Sequence, residues 1–293
     1  MKSLREELEA ARAHQAAIGH FNVSEWSAVK AIMEAVRETG LTAMIGVSEG
    51  EREFMSIRAL AVLIKYFREE LGLPIYLNAD HTHDLKKVEE AAKAGADEIL
   101  FDGSKLAFEE NLKMTKRAVE IAKTFNPAVL VEGELGYIGS SSEIMKELPA
   151  DASLKPELYT TPKEAEQFVR ETKIDVLAPA VGNMHGLTVK MAEGKAWKHL
   201  DLKRIKDIHT AAGLFLTLHG GSGTADKDFV GAVKAGITIV HINTEIRYAW
   251  RKGVEAGLRS HPEEIAPYKI LPKAVEAMKN IIASRLKLFQ AGD

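Results

Sequence analysis

The fold class this sequence predicts is α/β, a single-domain (β/α)8 TIM barrel over residues 1–293 with an extra C-terminal helix. Three observations predict it: eight short runs rich in β-formers, segments of helical period between them, and a glycine ahead of several runs, where a helix must end and turn back. Strand alternating with helix implies a parallel sheet, and eight such units close most economically as a barrel.

The chain opens on a charged amphipathic helix start, Met1 to Leu8, before the first run, Ala17–Val23. Ala28, Val29, Ile32, Met33 and Val36 then recur on one helical face, and Gly40 ends that helix ahead of the second run, Thr42–Val47. The third run is Pro74–Asn78; a helix around Lys87–Ala92 follows, closed by Gly95, and the fourth run is Glu98–Phe101. The fifth is Ala128–Val131. Behind it lies the one long irregular segment, Tyr137 to Pro162, whose length makes it a candidate lid. Asp175–Ala180, Leu214–Leu218 after Gly213, and Ile237–Ile242 after Gly236 complete the eight, and Pro262–Phe289 reads as helix packed outside the barrel.

Composition narrows the function. A formal net charge of -3 with no long Lys/Arg block argues against nucleic acid or an anionic membrane as partner. No apolar run approaches a membrane span, and the expected compartment is the cytoplasm. With no cysteine, a thiolate zinc site, an Fe–S cluster and a cysteine nucleophile are all excluded, so a transition metal must use His and carboxylate.

The chemistry-bearing residues gather at predicted strand ends, where barrels of this class place their sites. His81, His185 and His219 follow the third, sixth and seventh strands, and three histidines with an open position are the catalytic zinc pattern. Such ligands suit zinc, cobalt, nickel or iron alike. Asp80 beside His81 is a candidate orienter or general acid/base. Asp102, Glu132 and Glu134 add carboxylates, and alternation puts the two glutamates on one side, inside a barrel where uncompensated acids are costly. Gly220-Gly221-Ser222-Gly223 and Asn243-Thr244, after strands seven and eight, occupy the usual phosphate position. Strand six carries no lysine for a Schiff base, and Lys105 lies past its strand and is expected to be solvated. Metal must then replace imine as electron sink.

These motifs together resemble the class II, metal-dependent fructose-bisphosphate aldolases, close to the fructose/tagatose-bisphosphate branch, over nearly the whole chain. Phe21-Asn22-Val23, Val47-Ser48-Glu49-Gly50, Asp80-His81, Asp102-Gly103-Ser104, Glu132-Gly133-Glu134-Leu135-Gly136, His185-Gly186, His219 to Gly223 and Asn243 to Arg247 carry it. The resemblance implies zinc on His81, His185 and His219, with Asp80 exchanging the proton at the hydroxyl where the C–C bond breaks, and Asp102 and Glu134 at an alternate metal position. It implies Gly186, Gly220, Ser222, Asn243 and Thr244 around one phosphate, and Asn22, Ser48, His241 and Arg247 toward the rest of the substrate. That arginine would come from a neighbouring subunit, which implies a homodimer or homotetramer. A lid glutamate, for which Glu143 is the nearest candidate, and a monovalent cation complete the expectation.

His241 departs from the pattern, standing where the family usually has asparagine, and Asn243 stands where many fructose enzymes have aspartate. Substrate preference is open for that reason: tagatose 1,6-bisphosphate or another ketose phosphate is the alternative. His20 and His83 read as hydrogen-bonding groups around the site. Asp80-His81-Thr82-His83 also imitates the metal pair of a hydrolase barrel, although hydrolases place that pair on the first strand; a barrel that binds sugar phosphate without turnover is a further alternative.

Overall fold

The structure is a computed structural model describing residues 1–139, 143–145 and 155–290. Its strands are β1 (Ile18–Asn22), β2 (Ala43–Val47), β3 (Ile75–Thr82), β4 (Glu98–Phe101), β5 (Leu130–Leu135), β6 (Ile144–Met145), β7 (Val176–Pro179), β8 (Leu187–Thr188), β9 (Phe215–Leu218) and β10 (Ile237–Ile242). Eight of them close a parallel barrel in the order β1-β10-β9-β7-β5-β4-β3-β2, while β6 and β8 pair as a short separate ribbon. The (β/α)8 barrel read from the sequence is the fold. Gly40, Gly95 and Gly213 end their helices in the left-handed conformation, as expected of caps.

Alternation along the strands divides the barrel interior by depth. The first inward residues, Ile18, Met44, Tyr76, Leu130, Val176, Phe215 and Ile239, form an apolar floor that Leu4 and Leu8 of the N-terminal helix Leu4–Ala13 seal from below. Two residues further along, the same side chain direction carries His20, Asn78, Glu132, Thr217 and His241, all buried. The outward residues pack against the helices; Phe21, Phe101, Phe168 and Phe229 are fully buried there, each contributing about 2 kcal/mol by area. Hydrophobic burial thus holds the shell, and a polar column rises through its centre toward the strand C-termini.

The C-terminal helix Pro272–Leu288 packs outside the barrel against helices Trp26–Thr39 and Thr244–Ser260, as expected of the tail. Close approach is possible because a Cβ on Gly253 would lie 2.3 Å from Ala274 Cα and one on Gly257 2.2 Å from the Ile270 carbonyl oxygen.

Two strand ends differ from expectation. The third strand runs on to Thr82 and the fifth to Leu135, so Asp80 and His81 sit in a strand rather than behind it, and Glu132 and Glu134 lie in the fifth strand on the inner side that alternation gave them. Their polar side chains made the runs look shorter, but these residues face the barrel centre, where Glu132 meets His219 and Asp80 meets Asn22.

Candidate metal centre

Asp80 and His81 are adjacent, and regular alternation would send them to opposite faces. The register between β3 and β4 shifts between Ala79 and Thr82, and His81 takes a φ of 40°, a left-handed conformation that a non-glycine residue adopts at a cost. This bulge turns both side chains toward the mouth. His185 comes from the loop after β7 and His219 from the end of β9.

The three imidazoles meet. Their ring centroids are 5.0 Å apart for His81–His185, 5.0 Å for His81–His219 and 5.9 Å for His185–His219, and one nitrogen of each lies within 4.8 Å of the others. One ring nitrogen of each is held from behind. His81 Nδ1 is 2.9 Å from Asp102 Oδ2, His185 Nδ1 is 2.7 Å from the Gly139 carbonyl, and His219 Nε2 is 2.9 Å from Glu132 Oε1. The Gly139 carbonyl and an ionised Asp102 only accept, so Nδ1 of His185 and of His81 carries a proton and the opposite nitrogens face the centre, as does the unpartnered Nδ1 of His219.

Buried atoms left without partners test the fit of a metal. His219 Nδ1, Asp80 Oδ1 and Glu134 Oε2 have no hydrogen-bond partner among the described residues. Burial, aided by the neighbouring histidines, holds His185 and His219 down to about 3, so both are neutral, the form a metal requires. Burial alone would lower His81, but Asp80, Asp102 and Glu134 outweigh it and push it up to about 10; a divalent cation there would take over the role of that proton. Burial raises Glu132 to about 8 and Glu134 well above the usual carboxylate range, with Asp80 and Asp102 adding repulsion. The contact of Glu132 with His219 is therefore a hydrogen bond between groups that both resist charge. Neutral imidazoles, crowded acids and unpartnered lone pairs fit a divalent cation. His81, Asp102 and Glu134 form a second, overlapping donor set.

A cavity of ≈ 230 Å³ opens in front of these groups. Its lining includes Asn22, Ser48, Asp80, His81, Asp102, His185, Gly186, Gly220, Ser222, His241, Asn243, Thr244 and Arg247. Gly186, Gly220 and Ser222 form one wall beside the N-terminus of helix Thr244–Ser260, whose dipole suits an anion. On the other wall Asn22 donates to Asp80 Oδ2 at 2.8 Å and to Glu51 Oε2 at 3.0 Å. Glu51 also accepts from Ser48 and, at 2.7 Å, from Arg247.

Arg247 lies at the mouth of its own barrel, bound to Glu51 of the same chain. Glu143 is exposed, its carbonyl bonded to the Leu187 N–H, and it is not among the cavity's lining residues. Part of the expected lid, residues 140–142 and 146–154, lies outside the described residues. His83 hydrogen-bonds the Asp102 carbonyl as expected, but His20 makes no hydrogen bond among the described residues and stacks on His241, centroids 3.4 Å apart and planes 7° from parallel. Its ring fits because β2 has Gly46 opposite, where a Cβ would lie 2.0 Å from His20 Cε1. Two residues escaped the sequence reading: Glu51, whose signal was the capping box Ser48-x-x-Glu51, and Lys198, which gave none.

Fold and constellation together define a class: a (β/α)8 barrel with a cluster at its strand C-termini that could hold a divalent metal and a glycine-rich wall beside it. The family model for class-II fructose-bisphosphate aldolases matches residues 2–293, and the chain belongs to that family. It is 33% identical to the fructose-bisphosphate aldolase of Staphylococcus aureus strain Mu50 and 32% identical to that of Staphylococcus epidermidis strain RP62A, in each case over 98% of this chain and 96% of the relative. It also superposes on the crystal structure of the YdjI aldolase from Escherichia coli K12, TM-score 0.80 at 25% identity, covering 98% of this chain and 96% of that one. The chain is an aldolase. Among the described residues no helix is long and apolar enough to cross a membrane.

Proposed function

We propose that this aldolase reversibly cleaves fructose 1,6-bisphosphate to dihydroxyacetone phosphate and glyceraldehyde 3-phosphate, with a divalent ion, zinc by family resemblance, held by His81, His185 and His219. The observation that carries the proposal is the meeting of these three rings beside Asp80. When bound, such an ion acts as a Lewis acid, drawing off negative charge that develops on the ketose half.

The chain's own groups supply the rest. Burial opposes charge on Asp80, but His81 and the hydrogen bond from Asn22 hold its carboxyl below the usual range, so it is ionised and able to accept a proton. Asn22 fixes one of its oxygens and the other faces the centre unpartnered. In cleavage Asp80 takes the proton of the hydroxyl next to the breaking carbon–carbon bond; that oxygen becomes the aldehyde carbonyl, and the bond pair passes to the ketose half, which is then protonated. Condensation runs the same steps backward. Gly186, Gly220, Ser222, Asn243 and Thr244 receive the ketose phosphate, and Asn22, Ser48 and Arg247 meet the remainder of the sugar.

The His20–His241 stack favours a second reading. His241 Nδ1 lies 3.6 Å from Asp80 Oδ1, so an imidazole touches the place where the stereocentres of ketose bisphosphates differ, and tagatose 1,6-bisphosphate or another ketose phosphate is the alternative substrate. Metal analysis of the purified protein, with cleavage of both epimers measured before and after chelation, tests both. About one tightly held divalent ion per chain and loss of activity on its removal are expected, with His219→Ala slower by about a thousand-fold, the barrier change of losing an essential catalytic group. Activity that persists without metal refutes the proposal, and inertness toward both epimers refutes both substrates.

A further inference from the structure

Lys198 is 2% exposed and is not one of the cavity's lining residues. Its backbone is pinned to the turn behind β9: the N–H donates to the Gly223 carbonyl at 2.8 Å, and its carbonyl accepts from Ala225 at 3.3 Å. From there the side chain runs between two loops and ends among four carbonyl oxygens, those of Met184 at 2.5 Å, Gly186 at 2.7 Å, Gly220 at 3.1 Å and Ser222 at 2.6 Å. Among the described residues no carboxylate lies at ion-pairing distance. Four acceptors converging on one nitrogen demand the charged form, because a neutral amine would turn its lone pair on one of them. A cage of backbone carbonyls is also how proteins hold a bare monovalent cation. Burial pushes the Lys198 ammonium down to about 7, and Glu245 opposes that fall; an anion seated on the neighbouring wall would oppose it further.

The two loops are those whose Gly186, Gly220 and Ser222 face the cavity. They are in direct contact as well, since a Cβ on Gly220 would sit 2.5 Å from the Met184 carbonyl oxygen, and Asn183 Nδ2 donates to the His219 carbonyl. Without a cation between them, four carbonyl dipoles would point at one another beside a site meant for a phosphate dianion. We infer that Lys198 is a positioning residue whose ammonium is a tethered cation: it holds loops 184–186 and 220–222 together, so that phosphate binds without a free monovalent ion. The inference rests on the proposed phosphate role of these loops, and it replaces the monovalent cation expected from the sequence with a side chain.

The test is calorimetric binding of inorganic phosphate to the metal-loaded protein in tetramethylammonium, K⁺ or NH4⁺ buffers of equal ionic strength. The unaltered protein is expected to bind equally in all three. Lys198→Met should bind about ten-fold more weakly or worse in tetramethylammonium, the scale of a lost charge-assisted hydrogen bond, and recover in K⁺ or NH4⁺; its melting temperature should rise with those ions while that of the unaltered protein does not. A K⁺ requirement in the unaltered protein overturns the inference. So does a Lys198→Met variant that binds normally in tetramethylammonium, and so does one that stays defective or unfolded in every cation, which would be a packing defect. Phosphate binding without cleavage of any ketose bisphosphate removes the aldolase substrate assignment while the cation comparison still stands; no phosphate binding at all removes both.

Discussion

His20 gives the protein an acid-sensitive core that can be measured apart from catalysis. Its ring is fully buried, neither nitrogen has a partner among the described residues, and a second imidazole covers its face. Burial, reinforced by His219 and His81 against the pull of Asp80, lowers it from 6.5 to about 4. The native ring therefore stays neutral until about pH 4, whereas the unfolded ring takes a proton near 6.5. Between those values the unfolded state binds more protons, so stability falls as pH falls. Each pH unit costs about 1.4 kcal/mol, and the window from 6.5 to about 4 amounts to about 3 kcal/mol from this one group. Urea unfolding of the chelated protein at steps from pH 7.5 to 4.5 measures it, with His20→Leu as reference. Packing changes caused by leucine are independent of pH and drop out of the slope. The unaltered protein should lose about 2 kcal/mol or more relative to the variant across this window. Parallel pH dependences in the two proteins would refute the argument that His20 is held neutral.

Two further perturbations follow from the same geometry. Glu132→Gln keeps the shape but weakens the acceptor behind His219 Nε2, 2.9 Å away; metal affinity measured by chelator competition should fall about 10- to 100-fold, and an unchanged affinity would mean that Glu132 does not orient the ring. Gly220→Ala places a Cβ 2.5 Å from Met184 backbone atoms at a φ of 60°, where neither the conformation nor the neighbour can give cheaply. Thermal unfolding should show a loss of about 2 kcal/mol or more, together with weaker phosphate binding; a variant as stable as its parent would show that these loops separate easily.

What was legible in the sequence, and what was not, separates by the range of the interaction. The barrel could be read because its signals are local: β-rich runs, helical period, and Gly40, Gly95 and Gly213 at the caps. The three clustered histidines were legible because a fold-level rule, sites at strand C-termini, converts distant positions into neighbours without any contact being known. Strand limits at Thr82 and Leu135 were lost because polar residues interrupt the apolar runs there, although alternation did place Glu132 and Glu134 inside the barrel. His20 and His241 could be placed on the same side by alternation, but not stacked, because the room for the rings comes from Gly46 on a third strand. Glu51 had a local signature, the capping box, yet its link to Asn22 and Arg247 depends on strands 1 and 2 meeting helix Thr244–Ser260. Lys198 is the limiting case. In a charged segment between Lys195 and Lys203 it reads as solvated, and its carbonyl cage is made by main chain from two other loops, which no side-chain pattern encodes. The groups that bear on a transition state left a pattern in residue types; the group that holds the backbone around them did not, since any residue can offer a carbonyl.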